Sequence, residues 1–155
     1  MRLSEWWAAA PRPEAAGPKV VRVVETVLGS LGAAGDPHVW VIWGDDPSRY
    51  SILAPTPTGL VAVYTRVNVP GEGPRATAKV IRWPKLIVGE LAVETKGGHR
   101  HLSFQLEQHV LQGADEEADA IGRFALVVLA AIDGRPWPPF DLSSTDAAGP
   151  TDAAS

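Results

Sequence analysis

The chain has 155 residues, 45% of them hydrophobic and 21% charged, with a net charge of −4 and a pI near 5.5. That length suits one domain whose core is large enough to be stable without staples. The lack of cysteine excludes a disulfide framework, a zinc–cysteine cluster and a thiol nucleophile. The charge balance gives no global pull toward nucleic acid or anionic lipid and leaves only local basic patches to consider.

Residues 1–17 mix Trp6 and Trp7 with Pro, Ala and Gly and read as an irregular N-terminal arm. The stretch MRLSEWWAAAPRPEAAGP lacks the continuous apolar region of a signal peptide, and no run approaches the ~20 apolar residues that span a bilayer. The expectation is a cytoplasmic protein with no transmembrane segment. Pro18 suits a first helical turn, and Val20, Val24, Val27, Leu28 and Leu31 recur at helical spacing until Gly32 and Gly35 end the pattern.

A β region follows, rich in Val, Ile, Trp, Tyr and Thr between Gly, Pro and Asp punctuation. HVWVIW and RYSILA flank GDDPS; GLVAVYTRVNV is closed by PGEGP; RATAKVIRW and KLIVGELAVET are separated by Pro84; HRHLSFQLEQHV comes last. These six segments predict an antiparallel meander, because no connection is long enough to hold a crossover helix. After Gly113, Asp115, Glu116 and Glu117 place negative charge in a first helical turn. Ile121, Phe124, Ala125, Val128, Leu129 and Ile132 then form a wide apolar stripe that Gly134 and Pro136 terminate. The predicted fold class is α+β, with a single domain over 18–134 and a Pro-rich aromatic segment and disordered tail over 135–155.

This order of elements, together with AKVIRWPKLIVGELAVE, resembles a bacterial pleckstrin-homology-like domain over residues 38–133. The resemblance implies a strongly bent or partly closed sheet plugged by the C-terminal helix. It also implies binding of lipids, peptides or partner proteins rather than catalysis.

Three of the four histidines fall in TKGGHRHLSFQLEQHV, residues 95–110. A two-residue turn at Gly97 and Gly98 would pair Lys96 with His99, Glu94 with His101, Val93 with Leu102, Leu91 with Phe104, Glu90 with Gln105 and Gly89 with Leu106. Leu91, Val93, Leu102, Phe104 and Leu106 then share one face, and Glu90, Glu94, His99, His101 and Gln105 the other. His99, His101 and Glu94 form a two-histidine, one-carboxylate set of the kind that binds iron, zinc or manganese. The same residues also fit a solvated sheet face, which is the reading favoured here: Lys96 opposite His99 puts a positive charge where a cation would sit, and no apolar shell surrounds the set. His109 lies eight residues beyond His101, ~27 Å at strand rise, and joins the set only if the strand folds back. His-x-His followed by Glu is similar to the first cupin motif, but five residues separate His101 from Glu107 and a helix follows.

Gly71 and Gly73 lie in a hairpin loop rather than a phosphate loop, because no Lys-Ser/Thr and no helix follow them. Asp45 and Asp46, before Pro47, read as turn formers. Trp40, Trp43 and Trp83 read as core. Trp6, Trp7, Trp137 and Phe140, in flanking segments that include RPWPPF, are candidates for binding a protein or peptide partner. RPWPPF is expected to be ordered, because Trp137 and Phe140 offer apolar area to bury. The sequence therefore reads as a non-enzymatic binding module with no cofactor and no nucleic-acid partner. The alternatives are a metal-dependent enzyme using His99, His101 and Glu94, or a small-ligand carrier with a pocket between sheet and C-terminal helix.

Overall fold

Two stretches, ILA at 52–54 and LVAV at 60–63, carry apolar residues at consecutive rather than alternate positions, and such strands need cover on both faces of their sheet. A computed structural model of the chain, describing residues 2–9, 17–33, 38–43 and 46–137, provides that cover. In chain order the elements are α1 (Leu3–Ala9), α2 (Pro18–Ser30), β1 (Trp40–Trp43), β2 (Arg49–Pro55), β3 (Gly59–Arg66), β4 (Arg75–Arg82), β5 (Val88–Lys96), β6 (His99–Leu106), β7 (His109–Ala114) and α3 (Glu116–Ile132). A 3-10 turn, Trp83–Lys85, separates β4 from β5. The fold is α+β. β1 to β4 form one antiparallel sheet in sequence order, and β5 to β7 form a second.

Alternate residues of β2 and β3 serve two different cores. Ile52, Ala54, Val61 and Val63 join Val20, Val24 and Leu28 of α2 and Leu3 and Trp6 of α1 on one face. Leu53, Leu60 and Ala62 point the other way, toward Phe104, Leu106 and Leu111 of the second sheet and Ile121, Phe124 and Val128 of α3. These side chains lie between α3 and the sheets. Trp83 and Trp40 are buried in the same cluster. The Trp83 indole donates a hydrogen bond to the Thr56 carbonyl at 3.0 Å, as a buried indole N–H requires.

The structure corrects the sequence reading in several places. Part of the N-terminal arm expected to be irregular is the helix α1. Leu3 and Trp6, three residues apart, fall on one helical face, and their burial to 2% and 1% exposure holds a helix too short to persist alone. Among the described residues, the expected six-stranded meander is seven strands in two sheets. The segment read as one last strand turns back at Glu107 and Gln108 to give β6 and β7. Glu107 takes φ 57°, which neither Gly nor Asn signals in the sequence. The turn is held from outside: the Glu107 N–H donates to the Ile87 carbonyl at 2.8 Å, and its Oε1 accepts from the Ile87 N–H at 3.2 Å. The two expected helices lie where the apolar periodicity puts them, and Gly32 (φ 85°) and Gly134 (φ 79°) follow their ends. Phe140, Asp45 and the tail beyond Trp137 lie outside the described residues.

Candidate functional site

Gly97 and Gly98 take φ 60° and 82°, forming the tight hairpin turn that only glycine enters without strain. Lys96 pairs with His99, Glu94 with His101, Val93 with Leu102 and Leu91 with Phe104, as the alternation predicts. Nearer the base of the hairpin a bulge between Val88 and Leu91 brings Val88 opposite Leu106, so the expected Gly89–Leu106 and Glu90–Gln105 pairs do not form. The cause is local. Gln105 folds over Gly89, where a Cβ would lie 2.7 Å from its Oε1, and that oxygen accepts from the Glu90 N–H at 3.3 Å.

The histidines do not converge. His99 Nδ1 lies 2.8 Å from Asp115 Oδ2, while His101 stands across from Glu94 on one side and Ala114 on the other. The strand does fold back, but His109 pairs with Leu106, leaving it five positions, ~17 Å, from His101. Its ring lies 6.0 Å from that of Tyr64, and burial followed by the Lys79 charge lowers its pKa. Among the described residues, no group of three or more His, Asp or Glu side chains is placed to hold a metal ion. The polar face of the second sheet is a shallow hollow of about 390 Å³ whose lining includes Glu94, Lys96, His101, Ser103 and Gln112.

Asp115 links this hairpin to α3. It adopts φ 51° just before the helix and is held there by its N–H, which donates to the Arg100 carbonyl at 2.8 Å. Its Oδ1 accepts from the Arg100 N–H at 3.2 Å. The hydrogen bond with His99, and then that from Arg100, keep its carboxyl below the usual carboxylate range. Arg100 also pairs with Asp119 of α3. These groups are half-exposed or more, so they orient the helix rather than form a sequestered reaction centre.

The aromatic candidates separate. Trp6 is 1% exposed, with its ring 5.5 Å from that of Tyr50, so it belongs to the core and not to a partner surface. Trp7 packs against the same cluster, half-buried. Trp137 is 37% exposed.

The surface that sequence reasoning missed lies on β5. The apolar stripes predict Leu91, Val93, Leu102 and Phe104 packed against Ile121, Phe124, Val128 and Leu129 of α3, yet Leu91 and Val93 are 49% and 63% exposed. The reason is topological: α3 lies over β6 and β7, and β5 is the outer strand of its sheet. Leu126 and Leu129 on α3 are also exposed, at 58% and 38%. Gly122, Leu126 and Leu129 share one side of the helix by their spacing, and a Cβ at Gly122 would lie 4.0 Å from Leu102, the cross-strand partner of Val93. Leu91 and Val93 lie on the sheet face shared with Leu102, the face that α3 packs against, so β5 carries exposed apolar side chains on the same side of the sheet as the exposed Leu126 and Leu129. Comparison with known proteins gives no match to a family model, to a curated protein or to a solved structure.

Proposed function

We propose that this chain is a non-enzymatic interaction module of the pleckstrin-homology-like kind, and that it takes an extended segment of a partner protein along the outer edge of β5. The order of a four-stranded antiparallel sheet, a three-stranded one and a closing helix supports the fold half of this reading. The observation that carries the functional half is the exposed apolar edge of β5 beside α3.

In a two-residue hairpin the residues flanking the turn form a hydrogen-bonded pair, and such pairs alternate with pairs whose backbone groups point outward. Counting from Lys96 and His99, the backbone of Thr95, Val93 and Leu91 faces the open edge. The same residues expose the Val93 and Leu91 side chains on the face of the sheet that α3 packs against. An added strand would satisfy the backbone groups, and its alternate side chains would cover the exposed leucines and valine. Glu90 and Glu94 occupy the intervening positions, so the segment best matched carries apolar residues at alternate positions and basic ones between them.

Panning a random peptide library against the full chain tests this reading. Enriched sequences with apolar residues at alternate positions, whose binding is lost in Leu91→Asp and Val93→Lys variants of unchanged melting temperature, are the expected result. Failure to enrich any sequence, or peptides that bind the variants equally well, would refute the reading. Concentration-dependent dimerisation abolished by the same variants would assign the edge to a second copy instead.

A further inference from the structure

A strand added along the open edge of β5 would place its own side chains over both faces of the second sheet. Its apolar positions face the α3 side. Its intervening positions stand beside Ala92 and Glu94 and look onto the opposite, polar face, because directly opposed residues share a sheet face. That face carries the hollow of about 390 Å³, and Ala92, Glu94 and Lys96 of β5 belong to its lining.

The register explains the shape of the hollow. Ala92 lies opposite Ser103 and Ser103 opposite Gln112; in the next row Glu94 lies opposite His101 and His101 opposite Ala114. Ala92, Ser103 and Ala114 are too short to fill the space, and the longer Glu94, His101 and Gln112 stand around it. Toward the base of the hairpin the bulge between Val88 and Leu91 breaks the ladder, so Glu90 belongs to no such row. Lys96 puts positive charge at the other end, near the turn. Among the described residues, the side chains of Glu94, His101, Ser103 and Gln112 make no hydrogen bond or ion pair within the protein. A carboxylate, a hydroxyl, an amide oxygen and an imidazole nitrogen therefore offer acceptors around one shallow space.

That set discriminates among occupants. Neighbouring strands lie ~5 Å apart, so Ser103 on β6 is ~10 Å from the backbone of an added strand, and only a long side chain leaning across Ala92 reaches it. An acidic side chain would meet the Glu94 carboxylate, and an apolar one would leave the acceptors uncovered. A guanidinium is a planar fork of N–H donors that can lie flat over Ala92 and divide its hydrogen bonds between Glu94 and the neutral oxygens. Its weak hydration also suits a site open to water, where the strongly hydrated lysine ammonium gains less. We propose that the hollow is a guanidinium subsite, filled by an arginine that the partner segment places beside Ala92. This rests on the edge reading of β5 and narrows it: one of the basic residues between the apolar ones is an arginine, and Glu94 is its counter-charge.

Panning the full chain against a peptide library with leucine or valine fixed at alternate positions, and every residue type allowed between them, tests the proposal. Arginine should dominate one intervening position. By fluorescence anisotropy a selected peptide should bind about fivefold more tightly than its lysine or glutamine counterpart at that position, an advantage that Glu94→Gln and Ser103→Leu variants of unchanged melting temperature each lose. N-acetyl-arginine amide, titrated alone, should shift the NMR signals of Ser103 and of the Gln112 side chain, whereas N-acetyl-lysine amide should not. Peptides that bind with no preference for arginine, or whose preference survives both variants, would overturn the subsite and leave the edge reading standing. No enriched peptide, with N-acetyl-arginine amide still shifting Ser103 and Gln112, would support the guanidinium site and overturn the edge reading. The absence of both enrichment and shift would overturn the two together.

Discussion

Phe124→Ala is the substitution that most severely probes the packing between α3 and the two sheets. Phe124 is 0% exposed and shares its cluster with Phe104, Leu106, Leu111, Leu60 and Trp83, drawn from both sheets and the turn between them. Removing the ring forfeits on the order of 120 Å² of buried apolar surface, ~3 kcal/mol at ~25 cal/mol per Å². A cavity term adds up to ~2 kcal/mol where the neighbours cannot close in, and elements from three directions restrict that closure. The expected loss is therefore ~3–5 kcal/mol, a large share of the ~5–15 kcal/mol typical of a domain. Leu126→Ala, two residues along the same helix at 58% exposure, should cost no more than ~0.5 kcal/mol. Urea denaturation of the pair, with m-values compared, measures both. A loss below ~1 kcal/mol for Phe124→Ala, or equal losses for the two variants, would refute the placement of the helix.

Acid should weaken the fold through His38, whose ring stacks on Phe124 at 6.2 Å and whose pKa is lowered from 6.5 to about 3, first by burial and then by nearby positive charge including Arg123 and Arg2. The unfolded chain takes this proton near 6.5 and the folded chain only near 3, so stability is full above that window and falls as pH drops through it. By pH 5 the loss is at most ~2 kcal/mol, and a His38→Gln variant should show a correspondingly flatter profile in urea denaturation at pH 7 and pH 5; identical profiles would remove His38 as the cause. Trp6→Ala should cost ~3–5 kcal/mol by thermal or urea unfolding because Trp6 anchors α1 to the first core, whereas a change under ~1 kcal/mol would mean that α1 does not dock there.

The parts of the fold legible in the sequence are those with strong periodicity. The stripe from Ile121 to Ile132 and that from Val20 to Leu31 locate two helices, and the Gly97–Gly98 pair sets the upper register of the β5–β6 hairpin. The failures have separate physical causes. Only one buried face, set by Leu3 and Trp6, holds α1, and a seven-residue segment offers too few turns for a periodic signal. The Glu107–Gln108 turn is stabilised by Ile87, twenty residues away in sequence, so its own residue types do not announce it. Leu91 and Val93 alternate as core residues do, yet their exposure follows from which strand lies outermost and which strands α3 covers. Neither fact is local.

Residue-resolved amide hydrogen exchange along β5 tests the central claim, that this strand offers an open edge to a partner, most directly. In the free protein the amides of Ala92, Glu94 and Lys96, directed toward β6, should be protected, while those of Leu91, Val93 and Thr95 exchange rapidly. Adding a peptide selected for binding should protect the second set and leave the first unchanged. Protection of Leu91, Val93 and Thr95 in the free monomer, or their continued rapid exchange in the saturated complex, would contradict the account.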